Sequence, residues 1–106
     1  VTVQVSSPPP PMPSCVSAAP ESGSASGNGT FNVFAYGVTD ATSVRFDVYK
    51  GLTQIFVNGT NLGGGTWRGA INLSLIPSKG WYTVDVLVSN VGYTDELCAS
   101  TLFRRK

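Results

Sequence analysis

The stretch Trp81-Tyr82-Thr83-Val84-Asp85-Val86-Leu87-Val88-Ser89-Asn90 (WYTVDVLVSN, residues 81–90) decides the fold class. Tyr82, Val84, Val86 and Val88 fall on every second residue, with Thr83 and Asp85 between them. An extended backbone sends alternate side chains to opposite faces, so this spacing reads as a strand with one buried face; a helix would need a period near 3.6. SVRFDVYK (43–50) repeats the pattern, with Val44, Phe46 and Val48 inward and Arg45, Asp47 and Tyr49 outward.

Working outward, TFNVFAYGV (30–38) alternates with Phe31, Val33 and Ala35 on one face and Asn32, Phe34 and Tyr36 on the other. Phe34 and Tyr36 are as apolar as their neighbours, so alternation alone leaves the choice of buried face open. LTQIFVNGT (52–60) is a further strand, with Asn58-Gly59 read as a turn and Gly63-Gly64-Gly65 as a loose loop. TWRGAINLSL (66–75) puts Trp67, Ile71, Leu73 and Leu75 inward and Arg68, Asn72 and Ser74 outward, and CASTLFRRK (98–106) reads as the last strand. Residues 15–20 read as a short edge strand ending at Pro20, followed by a small-residue loop, ESGSASGNG (21–29), with a turn at Asn28-Gly29. No segment of ten or more residues has helical periodicity. Short strands with turn signals at near-even spacing predict an all-β fold, a two-sheet antiparallel sandwich of about seven strands or a barrel.

The 106 residues fit one domain. Three segments are expected: an N-terminal strand (1–7), a proline-rich spacer (8–14) and the β domain (15–106). In VTVQVSSPPPPMPSC (1–15), Val1, Val3 and Val5 alternate with Thr2, Gln4 and Ser6 before the prolines begin. Polyproline rises about 3.1 Å per residue without bending back. The backbone groups of the leading strand must be satisfied somewhere, and three homes are open. It is the first strand of its own domain, the last strand of a preceding one, or a strand inserted into a neighbouring subunit. The third is the expectation taken forward, with Val1, Val3 and Val5 at a subunit interface. A sheet edge offers unpaired N–H and C=O groups, and a head-to-tail contact that does not close builds a fibre.

Charged residues make up 12% of the chain and the net charge is +1. With no basic stretch beyond Arg104-Arg105-Lys106, nucleic acid is not an expected partner. No apolar run approaches the ~20 residues of a membrane-spanning helix, so no membrane insertion is expected. Apolar content of 42% argues against disorder. Two cysteines, Cys15 and Cys98, flank the globular part, and without histidine they have no partners for a zinc site. They read as a disulfide, the alternative being two buried thiols. A disulfide persists in an oxidising compartment and so points to export, outside the cell or at its surface.

The absence of histidine removes Ser-His and Cys-His catalysis. Asp47 and Asp85 both face outward, where a solvated sheet face lacks the cleft that a glycosidase builds between two carboxylates. Asp95-Glu96 lacks the spaced oxygen ligands of a calcium loop. No enzymatic activity, cofactor or metal is expected. Trp81, Tyr49, Arg45, Asp47 and Thr83 share one predicted face, and aromatic rings flanked by polar groups are how sandwich modules stack on sugars; this is the alternative functional reading. Asn28, Asn58 and Asn72 each begin an Asn-x-Ser/Thr sequon, so covalent glycans are candidate partners. At Asn28-Gly29 and Asn58-Gly59 the competing explanation is type I′ turn chemistry.

GWYTVDVLVSNVGY (80–93) resembles the Gly-x-Tyr-x-Val-x-Val stretch of bacterial immunoglobulin-like domains and the Asn-x-Gly turn that follows it. GTWRGAINL and ATSVRFDVYK resemble parts of the short repeat modules of streptococcal-type surface proteins and lysins. The resemblance covers about residues 30–95. It implies an extracellular, non-catalytic immunoglobulin-like sandwich in which Tyr82 bonds its hydroxyl to a loop backbone. Antibody domains join their second and sixth strands by a disulfide. Here Cys15 precedes the second and Cys98 follows the sixth, which suggests a staple between first and last strands.

Overall fold

The computed structural model describes residues 8–106; the leading strand, with Val1, Val3 and Val5, lies outside the described residues. Among the described residues eight strands form, rather than about seven: β1 (Ser17–Pro20), β2 (Ser24–Ala25), β3 (Thr30–Tyr36), β4 (Ser43–Lys50), β5 (Thr53–Gly63), β6 (Thr66–Asn72), β7 (Gly80–Asn90) and β8 (Tyr93–Arg105). The last begins five residues before the expected start at Cys98. Their order is β1-β3-β6-β5-β4-β7-β8-β2. Every pairing is antiparallel except the short β2–β8 contact, so the sheet is mixed.

The sheet curls until its margins face one another. Phe31 on β3 and Phe103 on β8, far apart in strand order, bring their rings to 4.8 Å, and Tyr82 stacks on Phe103 at 5.6 Å. The inward residues of β4 and β7 are buried as alternation predicts: Val44, Phe46 and Val48, and Tyr82, Val84, Val86 and Val88. On β3, Phe31, Val33 and Ala35 take the inner face, which answers the ambiguity there. Each such valine or phenylalanine removed from water contributes roughly 1.5–3 kcal/mol before ordering costs. Trp67 is half-buried against this core.

β5 does what no turn signal predicted. Thr53–Asn58 pair with β4, and Gly59–Gly63 pair with β6. The strand therefore passes from one half of the curled sheet to the other at Asn58-Gly59, the dipeptide expected to be a turn. The reason is space. Gly59 lies opposite Gly69, and a Cβ at Gly69 would sit 2.6 Å from Phe46 Cδ2. The two glycines let the Phe46 ring occupy the corner. The reversal itself is tight rather than loose. It runs through Gly64-Gly65 with φ of +62° and +82°, the left-handed pair a type I′ turn requires.

Leu75, expected inside, is 58% exposed. The chain leaves strand geometry at Asn72, whose side-chain oxygen accepts hydrogen bonds from Ser74 N (3.1 Å) and Ser74 Oγ (2.7 Å). That local bonding winds Leu73–Leu75 into a 3₁₀ turn, with Leu73 and Ile76 buried in place of Leu75.

Cys15 and Cys98 are disulfide-bonded, 83 residues apart in sequence, with their Cα atoms 5.4 Å apart. Cys15 lies two residues ahead of β1 and Cys98 lies on β8, so the bond joins the two margins of the sheet. It requires a non-reducing environment. Among the described residues no helix is long and apolar enough to cross a membrane.

The proline segment is tied to the domain. Pro13 is fully buried. Ser14 and Thr39 exchange backbone hydrogen bonds of 3.1 and 3.0 Å, and the Asn90 amide donates to the carbonyls of Pro11 (2.8 Å) and Asp40 (2.9 Å). The chain thus enters where β3 and β7 end, and Lys106 leaves at the opposite end, bonded to Ala25.

Candidate functional site

The outward side chains of β5, β4, β7 and β8 form one exposed face, and the register fixes their order. Phe56, Asp47, Asp85 and Ser100 form one row, Gln54, Tyr49, Thr83 and Leu102 the next, and Trp81 pairs with Arg104 at the margin. Trp81, Tyr49, Arg45 and Asp47 therefore share a face, as alternation predicted. Trp81 stands 60% exposed and Phe56 52% exposed, aromatic rings at two margins of a polar centre.

Asp47 and Asp85 lie directly opposite each other, an arrangement that like charges disfavour. Each has its own donors. Gln54 Nε2 reaches both oxygens of Asp47 (2.8 and 3.0 Å), and Ser100 Oγ donates to Asp85 at 2.6 Å. The Tyr49 phenol is held above its ordinary pKa, first by hydrogen bonding to Asp85, then by desolvation and by the Asp85 and Asp47 charges. Arg45 pairs with Asp95 at 2.6 Å, and its guanidinium carbon lies 4.3 Å above the Phe56 ring. At this exposure the ion pair contributes little, about 0–1 kcal/mol, and its main effect is to hold Arg45 across the face. The face is flat and wet. Its two carboxylates are bonded to neighbours and flank no cleft. Among the described residues no group of three or more His, Cys, Asp or Glu side chains is gathered as a metal site would need.

A second feature is backbone. Arg104 N–H donates away from β7, to Gly23, and strand parity gives Ser100 and Leu102 the same outward direction. β2 covers this side of β8 only at Arg104 and Arg105. Among the described residues no strand pairs with the outer edge of β8 ahead of Arg104.

Of the sequon asparagines, Asn58 is exposed on β5 and Asn28 is exposed in a bend. Asn72 is exposed too, but its side-chain oxygen is engaged in the 3₁₀ turn. Arg105 escaped the sequence reading. It is only 4% exposed, and its Nε donates to the Ile76 carbonyl at 3.0 Å. The available signal was parity, because Arg105 shares the inward alternation of Phe103.

These features define an all-β protein whose curled, disulfide-joined sheet presents one amphipathic face and, along β8 ahead of Arg104, an edge with which no described strand pairs. No family model matches the chain, and neither the curated proteins nor the solved structures contain a match.

Proposed function

We propose that the chain is a non-enzymatic extracellular module, an immunoglobulin-like sandwich of the kind found in bacterial surface and secreted proteins. In this reading it is a subunit of a surface filament that assembles head to tail by donating its N-terminal strand to a neighbour. Three observations support the sandwich. β5 divides its pairing between two halves of the sheet. The first-strand segment is likewise shared, β1 on β3 and β2 parallel on β8. Tyr82 donates to a loop carbonyl at the start of β7, as the tyrosine corner of such folds does.

The observation offered for strand donation is that no described strand pairs with the outer edge of β8 ahead of Arg104, although β1 packs alongside β8. An extended segment added there satisfies the N–H and C=O groups of Ser100 and Leu102. Residues 17–25 already occupy positions that a first strand would fill; in this reading Val1, Val3 and Val5 serve a second molecule. Their burial would supply roughly 1.5–3 kcal/mol each before ordering costs. The test is size-exclusion chromatography and negative-stain imaging of the full chain, of a deletion of residues 1–7, and of Ser100→Pro. Assemblies should form from the full chain and vanish in both variants, with a folded monomer left. A monomeric full chain, or assemblies that survive the deletion, would overturn the reading.

A second reading is favoured by the exposed Trp81: a carbohydrate-binding or spacer module within a larger secreted enzyme or adhesin. It predicts that Trp81→Ala abolishes retention on a polysaccharide column without altering the melting temperature.

A further inference from the structure

The chain carries seven Lys and Arg residues. Five of them, Lys50, Lys79, Arg104, Arg105 and Lys106, gather where β4 ends, β7 begins and β8 ends. A cleft of about 450 Å³ opens there, lined by Lys79, Gly80, Arg104, Arg105 and Lys106. The sequence hides this cluster, because the contributing positions are far apart along the chain.

Two features mark the cleft as a site for an anion. Arg105 is buried in its wall, held by the main-chain oxygens of Ile76 and Lys106 at 3.0 Å and by the Leu73 carbonyl and the Asn28 side-chain oxygen at 3.5 Å, with no Asp or Glu side chain among its partners. Among the described residues the one ion pair is Arg45–Asp95, at the other end of the fold. None of the five cations is paired with an acidic side chain among the described residues, so the cleft carries positive charge that an anion entering it offsets. The second feature is the neighbour. Trp81 stands exposed, next in the chain to Gly80 and across the sheet from Arg104, both of which line the cleft.

From this juxtaposition we infer that the end of the domain binds an acidic polysaccharide, with an acid group in the cleft between Lys79 and Arg104 and a sugar ring on Trp81. The inference rests on the second reading above and names its ligand class. A carboxylate and a sulfate ester present the same chemistry to the cleft. A single-stranded nucleic acid would satisfy the charge and stack a base on Trp81, so it is separated from a polysaccharide by relative affinity.

The experiment is affinity electrophoresis of the full chain in gels containing polygalacturonate, dextran sulfate or neutral dextran, with a single-stranded oligonucleotide in a parallel arm. Retardation is expected with polygalacturonate, dextran sulfate or both, the pair distinguishing carboxylate from sulfate. It should weaken as salt rises. Lys79→Gln combined with Arg104→Gln should lower affinity roughly tenfold, by loss of two exposed charge contacts, and Trp81→Ala should lower it comparably, all with unchanged melting temperatures. Retardation by neutral dextran that the double variant leaves intact would overturn the acidic-ligand inference and keep the sugar-binding reading. Oligonucleotide binding as strong as polysaccharide binding, whether or not Trp81→Ala weakens it, would overturn both. So would the absence of binding to every polymer.

Discussion

The Tyr82 hydroxyl donates to the carbonyl of Ser78, four residues upstream, at 2.8 Å, from a fully buried ring stacked on Phe103. One side chain thereby joins the core to the loop that delivers β7. Tyr82→Phe keeps the ring and leaves the Ser78 carbonyl to water, and should cost about 1 kcal/mol. Tyr82→Ala also empties the core and should cost about 3–5 kcal/mol. Urea unfolding followed by tryptophan fluorescence checks both values, and equal losses would contradict the division of roles.

The Cys15–Cys98 bond closes an 83-residue span. In the chain-entropy model such a loop is worth roughly 4–5 kcal/mol, an upper figure for the stability lost on its removal. The Cys15→Ser/Cys98→Ser double variant should show a lower urea midpoint than the oxidised protein and should match the reduced protein. Thiol titration of the unfolded, unreduced chain should find no free thiol.

Gly69 has no room for a side chain, since its Cβ would lie 2.6 Å from the Phe46 ring. Gly69→Ala should destabilise the domain by about 1–3 kcal/mol, the usual cost of overpacking. Gly29→Ala, where a Cβ meets nothing within 4 Å, is the matched control and should be near neutral. Thermal unfolding of the two variants makes the comparison.

Tyr49 holds its proton more tightly folded than unfolded, because the neighbouring Asp85 carboxylate favours the protonated phenol and the charges of both aspartates oppose a phenolate. A raised folded pKa contributes stability that is fully present below the unfolded value, about 10. That stability is lost as pH rises through the folded value. Ultraviolet titration should show one tyrosine ionising later than the ordinary residue, and Asp85→Asn should bring it back down. In Tyr49→Phe, the decline of stability above pH 10 should be shallower.

The central strands were readable because their pattern and their burial have one cause. Over Val44–Val48 on β4 and Tyr82–Val88 on β7 every inward residue is apolar and buried, since both strands have neighbours on each side. Leu75 defeated the same rule because Asn72 bonds to Ser74 and bends the backbone before the alternation runs out. Asn58-Gly59 carries turn chemistry, yet the glycine was needed for the Phe46 ring and for passage between two halves of a sheet. Alternation has no term for such a demand. The exposed face was legible for Trp81, Tyr49, Arg45 and Asp47, which lie on the two best-patterned strands. The cationic cleft was not, because it depends on which strand ends meet.

The position of the disulfide also decides how the domain bears load. Once the hydrogen bonds of Pro11 and Ser14 to Asn90 and Thr39 give way, a pull between the proline segment and Lys106 enters at Cys15, crosses to Cys98, and travels on through only the final residues of β8. The intervening 83-residue span is bypassed, withholding roughly 270–300 Å of extended chain from any tension. A string of such units would lengthen at its connectors while each folded bead stayed slack.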